Sequence, residues 1–265
     1  MSAILTDRIQ LDVGAFQLQH ITVSIPKGNV TAIVGPNGSG KSTLLKIMTR
    51  LVEADGGTVT INGKLTHTYK SAEMAQTVAM LTQSKTGLPE MTVKELVAYG
   101  RAPYKRLFDR MTDEDHGIVD WAMQTTGTKK HEDRMFHTLS GGEQQKARIA
   151  MALAQKTSII LLDEPTTYLD IAHQLDLMEM LQTINREYGI TIVMVLHDLQ
   201  QAAHYCDYII AMKNGRIAET GKPTEIISSH FLENIYNVQA KVRFEDDYPV
   251  IIPLKTISNK NIIKL

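Results

Sequence analysis

Cysteine is almost absent. Cys206 is the single one in 265 residues, so no disulfide can close within the chain. No nucleophile motif surrounds it, and it reads as a small buried apolar side chain rather than a reactive thiol. Excess charge of either sign is absent too: 28 basic and 29 acidic residues leave a formal net charge of −1. A nucleic-acid partner normally demands a basic surface, so none is expected. Long apolar runs are missing, and no stretch approaches the ~20 residues that span a bilayer. The longest, Ile192–Leu196 and Ile159–Leu162, are strand-sized. The first ten residues mix charged and apolar side chains without an apolar core, so no secretory signal is expected. Internal repeats, low-complexity tracts and long linkers are also lacking. What remains is an ordinary globular composition, 43% hydrophobic and 22% charged. The length suits one large domain or two small ones, at ~150 residues each.

Turn and cap signals divide the chain. Asn62-Gly63 and Asn214-Gly215, each between strand-like runs, are hairpin signals. From Ser84 to about Thr138 the pattern is helical, with Thr92-Val-Lys-Glu95 as a capping box and Thr112–Asp115 as a second helix start. After Ser140 helices alternate with short apolar strands: a helix through Ala147, Ile149, Ala150 and Leu153, the strand Ile159–Leu162, a helix over Ile171–Tyr188, and the strand Thr191–Leu196. Such alternation predicts an α/β fold with a parallel core sheet. The residues after about His230 carry no clear pattern.

Chemistry concentrates first at Gly35-Pro36-Asn37-Gly38-Ser39-Gly40-Lys41-Ser42, followed by Thr43, which fits the phosphate-loop pattern G-x-x-x-x-G-K-[ST] in full. An apolar strand, Val30–Val34, precedes it, and the following run through Thr49 reads as a helix. Glycines let the backbone curl until several N–H groups converge on an anion, and the helix N-terminus adds partial positive charge. Lys41 would then reach the β- and γ-phosphates and the Ser42 hydroxyl would ligand Mg²⁺. A glycine-rich turn can match this pattern by chance, so its companions matter.

In open parallel sheets, ligands sit beyond the carboxyl ends of the strands. Three further strand candidates end in useful side chains: Thr77–Leu81 before Gln83, Ile159–Leu162 before Asp163 and Glu164, and Thr191–Leu196 before His197. Asp163 is placed to position Mg²⁺, and Glu164, one residue beyond, to polarise an attacking water as general base. A lone Gln or His at a strand end is most often a surface residue. Leu139-Ser140-Gly141-Gly142-Glu143 offers a hydroxyl and free amides at a helix start, a second anion receptor by the same physics, or simply an N-cap.

Together these motifs resemble the ABC ATPase family over roughly residues 5–225, in order and spacing: the phosphate loop, Gln83, Leu139–Glu143, Ile159–Asp163 with Glu164, Thr167-Tyr-Leu-Asp170, and His197. The resemblance implies a mixed RecA-like core sheet with an N-terminal antiparallel β-subdomain and an α-helical insertion. The core would take residues 1–83 and 144–230, the helical subdomain 84–143, and a tail 231–265. It further implies a head-to-tail homodimer with two Mg-ATP at the interface, each held by the phosphate loop of one subunit and by Ser140, Gly141 and Gly142 of the other. His197 would contact the γ-phosphate, and Gln83 the metal and water. One departure stands out: where the family carries an adenine-stacking aromatic, Leu11-Asp-Val-Gly14 occurs, and Phe16 is the only aromatic nearby.

A single ATPase unit without a membrane span would need separate permease subunits at the cytoplasmic face of the membrane, with a substrate-binding receptor acting through them. Tyr99-Gly-Arg-Ala-Pro-Tyr104, Ile149–Gln155, Glu164–Asp170 and Val193–Asp198 resemble the ferric-siderophore, haem and vitamin B12 importers, most of all the ferrichrome type. A soluble ABC ATPase working on a macromolecular assembly is the alternative, and a binding module without turnover a third reading, disfavoured by the intact Glu164 and His197.

Overall fold

The computed structural model describes residues 1–14, 16–83, 90–106, 109–246 and 248–257. The opening of the expected helical insertion, residues 84–89, and the end of the expected tail, residues 258–265, lie outside them. In chain order the elements are β1 (Ser2–Val13), β2 (Phe16–Pro26), β3 (Val30–Val34), α1 (Lys41–Met48), β4 (Gly56–Ile61), β5 (Lys64–Leu65), α2 (Ser71–Thr77), β6 (Val78–Leu81), α3 (Val93–Ala98), α4 (Asp113–Thr125) and α5 (Gly141–Ala154). They continue as β7 (Ile159–Asp163), α6 (Ile171–Tyr188), β8 (Thr191–Val195), α7 (Leu199–Tyr205), β9 (Tyr208–Lys213), β10 (Arg216–Gly221), α8 (Pro223–Ile226), α9 (Ser229–Tyr236), β11 (Val238–Glu245) and β12 (Tyr248–Thr256).

The core is a six-stranded sheet in the order β10-β9-β3-β8-β7-β6. From β9 to β6 all neighbours are parallel, and β10 joins antiparallel. The central strands β3, β7 and β8 are buried along their whole length. Covered on both faces, they read as unbroken apolar runs instead of alternating ones. Their side chains still alternate between two cores. Val30, Ala32, Ile160, Leu162 and Met194 pack with the helices α3 to α7 and with Phe231 of α9. Ile33, Leu161 and Val193 face Leu44 and Met48 of α1, together with Ile4 and Ile21 of a second, antiparallel sheet in the order β2-β1-β4-β5. The mixed core sheet, antiparallel subdomain and helical layer are those expected.

Several helix boundaries follow from caps. The Thr92 hydroxyl accepts from the Glu95 amide at 3.2 Å, while the Glu95 carboxylate accepts from the Thr92 amide at 2.7 Å. Thr112 and Asp115 repeat the arrangement at α4. The 18-residue α6 begins behind Asp170, which accepts from the His173 amide, and stops at Gly189, whose φ of 65° is left-handed. The boundary expected between 143 and 144 falls inside α5. That helix packs along both α3 and α4, so the helical layer runs on to Ala154. The described part of the expected tail holds α9 and the β11–β12 hairpin, whose strands pair from Val238↔Thr256 to Glu245↔Tyr248.

A buried ion cluster ties the helical layer together. Arg101 donates from Nε to Asp115 at 2.9 Å and from Nη1 to the Ala154 carbonyl at 2.8 Å, and Lys105 pairs with the same carboxylate. The 3-10 turn Tyr99–Tyr104 is thereby fixed to the start of α4 and the end of α5. Burial alone would raise the Asp115 carboxyl, but bonds from Lys105, Thr112 and Arg101 outweigh it and hold it well below the usual aspartate range. Its stabilisation is therefore complete above the ordinary value of ~3.9 and is lost as pH falls below that towards the depressed folded value. Asp115→Asn leaves Arg101 buried without its counter-charge, at a cost of about 3–5 kcal/mol. Thermal unfolding should show a Tm lowered by roughly 10 °C at pH 7, with the gap to wild type closing below about pH 4.

Candidate functional site

The parallel register brings the carboxyl ends of β3, β8, β7 and β6 to one edge of the sheet, and the residues following each strand meet there. After β3 the chain turns through the phosphate loop. At Gly35 (φ 145°) a Cβ would lie 2.1 Å from the Met212 carbonyl oxygen of β9. At Gly40 (φ 101°) it would collide with Leu18 Cδ2 and Phe16 Cζ, at 2.5 and 2.8 Å. Only glycine fits either position. Lys41 folds back over the loop, donating to the carbonyls of Gly35 and Pro36 at 2.9 and 3.0 Å. The Ser39 hydroxyl is buried with no hydrogen-bond partner. Convergent amides at the start of α1, an ammonium group and an unpaired hydroxyl suit a polyphosphate. Thr43 lies half-buried in the first turn of that helix.

Ser42 and Asp163 meet across α1 and β7, the hydroxyl donating to the carboxylate at 2.6 Å. Two oxygen donors this close, one anionic, form the kind of ligand set that Mg²⁺ takes alongside phosphate oxygens and water. Burial pushes the Asp163 carboxyl up and the Lys41 ammonium down from their ordinary values. The Ser42 bond opposes the first shift, and the charges of Glu164 and Asp163 oppose the second. A cation at Asp163 and a phosphate at Lys41 would relieve both penalties.

Glu164 sits just beyond β7 with a left-handed φ of 54°, a conformation that a non-glycine residue adopts at some cost. Three side chains converge on its carboxylate: Gln83 Nε2 at 2.6 Å, the Thr167 hydroxyl at 3.2 Å and His197 Nε2 at 2.5 Å. Gln83 follows β6 and His197 follows β8, so neighbouring strands supply two of the three. The sequence motif Thr167–Asp170 carries no separate expectation for Thr167. Its place three residues after an acid at a strand end was the available signal.

Ser140, Gly141 and Gly142 stand elsewhere. Ser140 caps α5, donating its hydroxyl to Glu143 at 2.9 Å, and the ring of His173 packs over Gly142. Among the described residues no hydrogen bond joins this group to the phosphate loop. Phe16, half-buried, does reach the loop, with the tip of its ring against Gly40. Cys206 is buried, and burial raises its thiol well above the ordinary range. Among the described residues no helix is long and apolar enough to cross a membrane.

The sequence model of the ABC transporter family matches residues 18–167. The chain belongs to the ABC transporter family. It is 45% identical to the petrobactin import ATP-binding protein FpuC of Bacillus anthracis, over 92% of this chain and 90% of that one. It is 40% identical to the iron(3+)-hydroxamate import ATP-binding protein FhuC of Bacillus subtilis, over 98% of each. With the ferric enterobactin transport ATP-binding protein FepC of Escherichia coli the identity is 44%, over 94% of this chain and 93% of that one. Among solved structures, the ABC transporter cassette MJ1267 in its ADP conformation superposes with a TM-score of 0.80 at 28% identity, covering 89% of this chain and 98% of that one. The cassette MJ0796, dimeric and bound to ADP and Pi, superposes at 0.71 and 28% identity over 83% and 98%. As an ABC cassette the chain is an ATP-binding, ATP-hydrolysing subunit.

Lys41 supplies the one side-chain cation bonded into the described phosphate loop. Lys41→Ala should weaken binding of a fluorescent ATP analogue at least tenfold and lower kcat by about a hundredfold or more, with the circular-dichroism spectrum unchanged.

Proposed function

We propose that this chain is the motor subunit of an importer of iron(III)–siderophore complexes, acting as a homodimer with separate permease subunits at the cytoplasmic face of the membrane. The observation that carries the hydrolytic part is the convergence of Gln83, Thr167 and His197 on Glu164 beside a complete phosphate loop. The iron-chelate part is supported by relatives named for petrobactin, iron(3+)-hydroxamate and ferric enterobactin, which resemble this chain over most of its length. Those relatives also favour an importer over a soluble ATPase on a macromolecular assembly.

In this reading the loop amides, Ser39 and Lys41 bind the phosphates of ATP, and Phe16 lies against the base. Ser42 and Asp163 hold Mg²⁺, which when bound neutralises charge on the phosphate oxygens. Glu164 accepts a proton from the attacking water, oriented for that by Gln83, Thr167 and His197. His197 then reaches the γ-phosphate and Gln83 the water. One loop and one helix terminus cannot enclose that phosphate. The open side is assigned to Ser140, Gly141 and Gly142 of a second copy, whose hydroxyl and amides form a ready anion receptor. ATP would close the dimer and hydrolysis release it, and the helical layer would pass the motion to the permease.

Reconstitution with the cognate permease in proteoliposomes tests the cargo. A receptor loaded with an iron(III)–hydroxamate or iron(III)–catecholate complex should stimulate ATP hydrolysis several-fold, and the iron-free siderophore should not. Stimulation by a soluble protein or by nucleic acid, with none from loaded receptor and permease, would favour the soluble alternative.

A further inference from the structure

His197 has little to hold its ring in place. Its bonded side-chain partner is Glu164, and its side chain is 43% exposed. Behind it lies a cavity of about 370 Å³ shared with Leu232, Tyr236, Ile251 and Pro253. The orientation of the imidazole is thus set by the backbone that carries it, the link between β8 and α7. That backbone is anchored from three directions. Asp198 caps α7, accepting from the amides of Gln200 and Gln201 at 2.7 and 3.2 Å. On the inner side Gln201 donates to Gln174 of α6 at 2.6 Å. On the outer side the Gln200 carboxamide bonds like a strand segment to β12, donating to the Pro249 carbonyl at 2.8 Å and accepting from the Ile251 amide at 3.1 Å.

The hairpin that receives Gln200 is itself tied to the phosphate loop. It follows α9 directly, and Lys213 at the end of β9 bonds both the Asn234 carbonyl and, at 3.4 Å, the Asn237 side chain. The preceding residue, Met212, presents the carbonyl that closes on Gly35. Tyr236 of α9 buries its hydroxyl without a regular hydrogen-bond partner, and the Gly35 backbone acts on that oxygen, partly offsetting a pKa that burial raises.

We propose that Gln200 is a positioning residue for ATP hydrolysis, fixing the start of α7 to the C-terminal hairpin and so holding His197 on Glu164. The proposal rests on the reading that Glu164 and His197 act in hydrolysis. It makes β11–β12 part of the hydrolytic apparatus: the hairpin acts on the reacting groups through the bonds of Gln200 to Pro249 and Ile251, while its ring contact with α7, Tyr248 on His204, lies at the far end of that helix.

Steady-state ATPase measurements on the full chain test it. Gln200→Ala should lower kcat roughly ten- to a hundredfold, the scale of a misplaced catalytic group, with KM for ATP within about twofold and Tm nearly unchanged. Gln200→Glu keeps the acceptor for Ile251 and loses the donor to Pro249, so its kcat should fall between the two. In a His197→Ala background, Gln200→Ala should cause no further loss, because residues acting through one another are not additive. An unchanged kcat, a KM rise in place of a kcat fall, or full additivity with His197→Ala would overturn the proposal. Glu164→Gln serves as the control: turnover persisting there refutes the underlying reading, whereas turnover lost there but retained in Gln200→Ala refutes this inference alone.

Discussion

The common register of four neighbouring parallel strands is the constraint on which the site depends. Because β3, β8, β7 and β6 run the same way and end together, the residues that follow them are delivered to one place. Glu164 is the meeting point, a carboxylate on a left-handed backbone bonded by side chains that follow the strands to either side of its own. Any slip in that pairing would separate His197, Glu164 and Gln83 at once. A one-residue slip would also exchange the side chains that β3, β7 and β8 send into the two cores, and the close packing of those cores resists it.

Beside that edge several polar groups are bonded within the chain. Lys41 turns inward to loop carbonyls, and the Ser42–Asp163 pair closes on itself. Ser140 directs its hydroxyl to its own Glu143. Each of these groups already holds a charge-assisted bond within the chain, which a bound nucleotide or its metal would have to displace. Binding in such a site would exchange one set of partners for another.

Much of this was legible in the chain. The apolar runs at 159–162 and 191–196, the capping box at Thr92, the helix start at Thr112 and the α6 span over Ile171–Tyr188 rest on local physics, and the structure follows them. The C-terminal segment was opaque for a physical reason. Its helix α9 has only eight residues, and β12 contains Pro249 and Pro253, which argue against a strand unless one edge stays unpaired. Among the described residues no further strand pairs with that edge, and Gln200 bonds it at Pro249 and Ile251. The helix start expected at Leu139–Glu143 is α5, capped by Ser140, and the boundary expected at 143 lies within its first turn. Contacts made by Thr167, Met212 and Gln200 depend on tertiary approach, which no periodicity encodes.

The central claim, that one chain holds half of each ATP site and a second copy the other half, is tested most directly by the mass of the Glu164→Gln protein under Mg-ATP, with Mg-ADP as the control. Light scattering should report a dimer with ATP and a monomer with ADP, and adding Ser140→Arg should return the ATP form to monomer. A monomer under both nucleotides, in a protein shown to bind ATP, would contradict the composite site. So would an ATP-dependent dimer indifferent to Ser140→Arg.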